Sequence, residues 1–273
     1  MSAPRIPPRW HPSPLLFASA GVHGGAMAAV LAQAQLWPWA LAAVAANHAL
    51  LTGAGLSPRS RWLGPNWTRL PSAGAAAAAR VALTLDDGPD PEVTPRVLEL
   101  LAAHGARATF FCIGERVAAH AALAREIHAQ GHTIENHSQR HLHHFSLLGP
   151  RRLRAEIERA QETIGDTTGA APRFFRAPAG LRSPLLDPLL QRLGLQLASW
   201  TRRGFDTVER RPQRVLDALL RNLTAGDILL LHDGHAARTE AGAPVVLEVL
   251  PRLLGAFAAA GLSPVTLREA LGT

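Results

Sequence analysis

Between Trp10 and Pro58 the chain carries no Asp, Glu, Lys or Arg. Two apolar runs fill this stretch, at about 14–33 and 36–56, and each is close to the length that crosses a bilayer as a helix. Trp37-Pro-Trp39 between them reads as an aromatic turn at a membrane interface. Arg5 and Arg9 flank one side; Arg59, Arg61 and Arg69 flank the other. Arginine on both flanks predicts a multi-pass hairpin in the inner (cytoplasmic) membrane, with both ends, and so the domain that follows, on the cytoplasmic side. His23 and His48 interrupt the runs, and Ala32-Gln-Ala34 is similar to a signal-peptidase site. A removed leader, or a soluble or interfacial helical pair, stand as the alternatives.

After a small-residue linker at 71–79 the pattern changes to short apolar runs alternating with amphipathic stretches. The division is therefore a membrane-associated hairpin (1–70), the linker (71–79) and a catalytic domain (80–273). Strands are predicted at 81–85, 107–111, 132–135, 173–175, 196–199, 227–231 and 264–267. Helices are predicted near 92–104, 116–130, 150–164, 184–193, 212–222 and 245–260, several opening on a proline whose missing N–H costs nothing in a first turn. Strand–helix alternation at this spacing implies a parallel α/β sheet, and six or seven units suggest a barrel. Polar residues follow the predicted strands: Asp86 and Asp87, His137, Arg176 and His232, with Asp206 beyond Trp200. In a parallel barrel chemistry sits at that end.

The chain has 273 residues, 47% of them apolar, and a formal charge of +7 carried by arginine alone. There is no aromatic-interleaved basic stripe and no zinc-finger or Walker spacing, so nucleic acid is not an expected partner. The single cysteine, Cys112, follows an apolar run and reads as a buried structural thiol. Two segments carry the chemistry: Thr84-Leu-Asp-Asp-Gly-Pro89 and His137-Ser-Gln-Arg-His141. They offer two adjacent carboxylates and two imidazoles four residues apart, enough to hold a divalent metal and leave a carboxylate beside it as a base. His132, His143 and His144 read as surface or supporting residues rather than ligands.

Together with Phe174-Phe-Arg-Ala-Pro-Ala-Gly180, Ser199-Trp-Thr-Arg-Arg-Gly-Phe-Asp-Thr207 and Leu229-Leu-Leu-His-Asp233, these segments resemble the five ordered motifs of the polysaccharide deacetylases, carbohydrate esterase family 4 or the NodB homology group. The resemblance spans roughly 81–266. It implies a distorted (β/α) barrel of seven or eight strands and metal-dependent removal of N- or O-acetyl groups from sugars. It implies Asp87, His137 and His141 as ligands of a metal, Zn²⁺ best suiting the set. Asp86 would be the catalytic base, Arg176 its orienting partner and His232 the general acid. The Ala179 backbone N–H would stabilise the oxyanion, with Leu230 and Trp200 walling the acyl pocket. Two positions depart from the family pattern: Ala179 replaces a frequent aromatic, and Arg203 replaces the first Asp of an Asp-x-x-Asp segment. Arg203 reads equally as a solvated residue or an anion contact, Asp206 equally as a turn residue or an orienter of His232.

The implied substrate is an acetylated glycan, either a cell-envelope polymer or a lipid-linked amino sugar, with the membrane a partner through 14–56. Three other classes fit parts of the pattern: a two-His-one-carboxylate Fe(II) oxygenase, a non-catalytic glycan-binding barrel, and a glycosidase using Asp86 and Asp206.

Overall fold

The structure, a computed structural model, describes residues 10–71 and 79–272. Helix α1 (Pro14–Ala32) and helix α2 (Trp37–Leu56) form an antiparallel pair joined by a short 3₁₀ turn at Ala34–Leu36. Ser13 caps α1 through its side chain, and Pro14 occupies the first turn, where no N–H is needed. Trp37 and Trp39 belong to the first turn of α2, so the turn itself precedes the aromatic pair. At 1.5 Å per residue each helix is about 30 Å long, the thickness of a hydrocarbon core. Their surfaces are apolar and open: Phe17 is 74% exposed, Trp39 77% and Leu31 81%. Between the helices the Asn47 amide donates to Ser19 Oγ (2.8 Å), and the His23 and His48 rings meet edge to face.

The remainder is a curled parallel sheet wrapped by helices. In chain order it comprises β1 (Arg80–Asp86), α3 (Thr94–Ala103), β2 (Thr109–Cys112), α4 (Gly114–Ala119), α5 (Ala121–Ala129), β3 (Thr133–Asn136), α6 (Pro150–Thr168), β4 (Phe174–Phe175), α7 (Leu186–Arg192), β5 (Gln196–Leu197), β6 (Arg202–Arg203), α8 (Pro212–Leu220), β7 (Ile228–His232), α9 (Val245–Ala259), β8 (Ser263–Val265) and α10 (Leu267–Leu271). The strand order is β5-β4-β3-β2-β1-β7-β6, with β8 pairing the start of β1. The fold is thus the distorted parallel barrel expected, preceded by the apolar helical pair.

Side-chain alternation along each strand sorts the core. Val81, Leu83 and Leu85 of β1, Phe110 and Cys112 of β2, and Leu229 and Leu231 of β7 face the helices, meeting Val97, Leu101, Val215, Leu219, Val249, Leu253 and Phe257. Each fully buried Leu or Phe in this layer contributes about 1.5–3 kcal/mol. Ala82, Phe111, Phe174, Ala198 and Ile228 form the barrel interior. That leaves Asp86 and His232, last residues of β1 and β7, on the interior side at the open mouth.

Some boundaries differ from expectation. The predicted helix at 116–130 is two, α4 and α5, because His120 leaves helical geometry (φ −124°, ψ 47°). Only Gln196–Leu197 of the predicted 196–199 strand enters the ladder, Arg202–Arg203 forms an unanticipated strand, and residue 267 opens α10 rather than ending a strand. Residues 57–70, assigned above to the hairpin unit, pack on the barrel: Trp67 bridges Ala198, and Leu70 joins the interior core. Most of the 71–79 linker, and the Arg5 and Arg9 flank, lie outside the described residues.

Candidate active site

The mouth is built from strand ends and the loops that leave them. Asp86 and His232 are direct partners in the β1–β7 register, so the expected base and acid stand on adjacent strands. Among the described residues, seven non-glycine positions have positive φ, and Asp87, Ser138, His141, Ala179, Phe205 and His235 are six of them. All six lie in loops that follow strands or motifs at this end. Left-handed backbone in residues with a Cβ is costly and persists where packing over-determines it, as at functional sites.

Asp87, His137 and His141 converge. Asp87 Oδ1 lies 3.2 Å from His137 Nε2 and 3.3 Å from His141 Nε2. This oxygen is buried and has no hydrogen-bond partner. Ligands about 2.0–2.1 Å from a tetrahedral metal sit about 3.3 Å from one another, so the spacing and the orphaned oxygen both fit a divalent ion. His137 Nδ1 is 2.8 Å from the Arg176 carbonyl, an acceptor only, so Nδ1 carries the proton and Nε2 presents its lone pair. Burial and the neighbouring His137 hold the His141 ring down at about 4, neutral and available as a ligand. Burial alone would raise the Asp87 carboxyl, but the flanking His137 and the His235 ring bonded to Oδ2 hold it well below the carboxylate range.

Asp86 is gripped from behind. Arg176, 1% exposed, donates from Nη1 to Asp86 Oδ1 (2.6 Å) and Thr84 Oγ1 (2.8 Å) and from Nη2 to the Ser199 carbonyl (2.8 Å). Its guanidinium lies over the Phe111 ring at 4.0 Å. A buried charge this well bonded is tolerated; unpaired it would not be. Asp86 Oδ2 faces forward, 3.9 Å from His137 Nε2.

Of the two readings of Asp206, the structure shows the contact with His232. Its Oδ1 is 2.9 Å from His232 Nδ1, and its Oδ2 accepts the His232 backbone N–H (2.7 Å). Burial would lower this imidazole, but the Asp206 charge and hydrogen bond outweigh it and push the ring up to about 9. Nδ1 is thereby fixed as a donor and Nε2 holds the other proton. Leu230, buried on β7, is in register with Thr84 and Arg203. Trp200 is covered by Arg176 at 5.8 Å and Arg203 at 5.5 Å; Arg203 also lies over Phe205. Arg203 is thus a stacked, half-buried residue. Ala179 is exposed with φ 54°.

Of the histidines set aside, His143 and His144 are exposed, whereas His132 is buried, accepts the Ala108 N–H and sits far down at about 4. Cys112 is fully buried on the helix side, its thiol pushed up chiefly by burial. Four supports escaped the sequence reading. His235 holds Asp87 Oδ2 (3.1 Å), and Arg116 binds both the Asp87 carbonyl and His235 Nε2. Asp233, fully buried and raised by burial to about 7, accepts Thr94 Oγ1. Thr84 links Arg176 to the Leu229 carbonyl. Asp233 and His235 had a local signal in their nearness to His232, and Thr84 in its place two residues before Asp86 on β1.

A buried two-imidazole, one-carboxylate cluster beside a gripped carboxylate and a charged imidazole, at the mouth of a curled parallel barrel, defines a hydrolase of the metal-assisted class. The sequence profile described as "Polysaccharide deacetylase" matches residues 73–198. The chain is 34% identical to a peptidoglycan-N-acetylglucosamine deacetylase of Bacillus cereus over 63% of its own length and 81% of that protein. It is 35% identical to a chitooligosaccharide deacetylase of Azorhizobium caulinodans over 56% of its length and 73% of that protein. Its fold matches the crystal structure of the Bc1960 peptidoglycan N-acetylglucosamine deacetylase with a TM-score of 0.67 and 25% identity, covering 75% of this chain and 92% of the other. The chain belongs to the polysaccharide deacetylase family, carbohydrate esterase family 4, metal-dependent hydrolases of N-acetyl amide bonds.

Proposed function

We propose that this protein removes the N-acetyl group from an amino sugar of a cell-envelope glycan, with zinc as its metal, while anchored in the membrane by α1 and α2. The observation that carries the chemistry is the orphaned, buried Asp87 Oδ1 facing two imidazole nitrogens with Asp86 alongside. Asp87, His137 and His141 would hold the metal, which when bound polarises the acyl oxygen and makes water acidic enough to lose a proton near neutral pH.

Asp86, held by Arg176, takes a proton from the attacking water as the C–O bond to the acyl carbon forms. The Ala179 N–H lies on the loop that follows Arg176 and stabilises the negative charge on the acyl oxygen. His232, kept protonated by Asp206, delivers a proton from Nε2 to the sugar nitrogen as the C–N bond breaks. Acetate and a free amine leave. Leu230 and Trp200 shape the space for the acyl methyl, which limits the group removed to a small one. The linkage is an amide because a protonated imidazole is needed most where the leaving group is a poor one.

The open apolar surface of the hairpin supports membrane insertion, and flanking arginines support a cytoplasmic catalytic domain. The test is acetate release by the full chain in detergent, zinc-loaded, on N-acetylglucosamine oligomers and on a lipid-linked N-acetylglucosamine. Release that is lost with a chelator and with Asp86→Asn supports the reading. A chain that binds one metal and releases acetate from neither substrate refutes it.

A further inference from the structure

Helix α2 does not lead into a loose tether. Its last turn is bonded to the loop that leaves Arg176. The Gly55 carbonyl accepts the Arg182 N–H (3.2 Å), and the Gly55 Cα lies so close to the Arg182 carbonyl that no side chain fits there. Three residues on, Pro58 packs on Gly180, where an added Cβ would come within 2.7 Å of both Pro58 and Trp200. The Arg182 side chain donates to the Ser60 carbonyl, Asn66 donates to the Pro58 and Ser60 carbonyls, and Arg59 donates to the Thr201 carbonyl. Trp67 then exchanges backbone bonds with Leu197 and Ser199. At the other end of the hairpin Trp10 donates to Asp187 and Ser13 to the Trp62 carbonyl. The loop after Arg176, which carries Ala179, is therefore clamped to the end of the apolar pair.

This clamp fixes a height. Leu56, 60% exposed, ends the apolar span of α2, and Pro58 is at most about 7 Å of chain further on. The headgroup zone on each side of a hydrocarbon core is roughly 5–8 Å thick. With the hairpin inserted, the 177–182 loop sits at headgroup depth. Trp62, 58% exposed, and Leu185, 42% exposed, lie in the two segments the clamp joins and suit such an interface. The segment 57–70 holds Arg59, Arg61 and Arg69 and no acid. Arg69 is taken up by Asp227, whereas Arg59 and Arg61 are exposed and meet no carboxylate among the described residues.

On these grounds, and resting on the deacetylase reading above, we infer that the substrate is an acetylated amino sugar carried by a membrane lipid through a phosphate or diphosphate, and not a polymer lying beyond the headgroups. The lipid holds the sugar at the height of the mouth, and Arg59 and Arg61, each bonded to a backbone carbonyl but to no carboxylate, supply positive charge for the anionic linkage. Confinement of enzyme and substrate to one surface also raises the effective concentration of the reacting groups.

The experiment uses the full chain, zinc-loaded, in phosphatidylcholine vesicles. It compares kcat/KM for polyprenyl-diphosphate-linked N-acetylglucosamine in the same vesicles with that for a soluble N-acetylglucosamine oligomer. The lipid-linked sugar is expected to be preferred by at least about tenfold. Arg59→Gln/Arg61→Gln should raise KM for it by roughly fivefold or more with kcat little changed. Equal or better turnover of the soluble oligomer overturns the inference while leaving the deacetylase reading standing. An unchanged KM in the double variant overturns the role of the arginines and the anionic linkage. Turnover of neither, with metal bound, removes the deacetylase reading and this inference with it.

Discussion

Replacing Asp206 with Asn separates two roles of His232: its position and its charge. Asparagine keeps the shape and can still accept the backbone N–H that now binds Asp206 Oδ2. It removes the negative charge 2.9 Å from Nδ1. In the parent that charge, with smaller help from Asp86 and Asp87, lifts the ring from 6.5 to about 9 against the pull of burial. The lift corresponds to roughly 3 kcal/mol of preference for the charged ring. Without it Asp86 and Asp87 remain as counterweights to burial, and the ring falls back to about its ordinary value of 6.5. At pH 8 a group at about 9 is roughly nine-tenths protonated and one at 6.5 about 3%, so kcat should drop by at least about 30-fold. At pH 6 both rings are mostly protonated, and the loss should be under about twofold. A bound divalent cation draws both alkaline limbs down together, so the readout is their separation. The same pair sets a stability window. The ring's value in the fold lies above its unfolded one, so the contribution is complete below about 6.5 and fades as pH rises through about 9. The assay is the pH profile of kcat for amide hydrolysis, with thermal unfolding at pH 6 and pH 10 alongside. An alkaline limb that stays where it was in Asp206→Asn would refute the assignment of His232 as an acid tuned by Asp206.

Other outcomes follow from the same geometry. Asp86→Asn keeps a hydrogen-bond acceptor for Arg176 but loses the base, and should cost about 10²–10⁴ in kcat with metal affinity, measured by calorimetry, little changed. His141→Ala removes one of three ligands and should lower bound zinc well below one equivalent in elemental analysis, with the fold kept by circular dichroism. Arg176→Ala leaves the buried Asp86 without its cation and should destabilise the protein by about 3–5 kcal/mol in urea unfolding, a loss larger than that of any exposed arginine. Gly180→Ala places a methyl against Pro58 and Trp200 at a backbone of φ 73° and should lower stability by about 1–3 kcal/mol in the same assay.

Much of this protein is fixed by local pattern. Two charge-free runs with proline in their first turns can only be long apolar helices, and they form with nearly the expected limits. Period-two alternation in β1 and β7 puts Asp86 and His232 on the face opposite Leu85 and Leu231, whichever strands lie beside them. The ordered motifs therefore mark the mouth of the barrel before any contact is known, and Asp87, His137, His141 and Arg176 all lie where those motifs put them. Two residues of ladder leave no periodicity to detect, so β6 is invisible in the pattern and β5 reads two residues too long.

What the tertiary structure alone decided depends on which distant segments become neighbours. Asp206 reaches His232 across 26 residues, Arg116 reaches the Asp87 carbonyl across 29, and Arg59 reaches Thr201 across 142. Nothing in the intervening sequence encodes those distances, since helix crossovers of any length can return a strand to the same sheet. The stacking of Arg203 on Trp200 and Phe205 belongs with them. So does the packing of 57–70 on the barrel, which composition assigned to the hairpin and which instead joins the membrane-sized helices to the catalytic mouth. Sequence set the faces of each element and the chemistry on them; three-dimensional adjacency set which charges meet, and with them the protonation of His232.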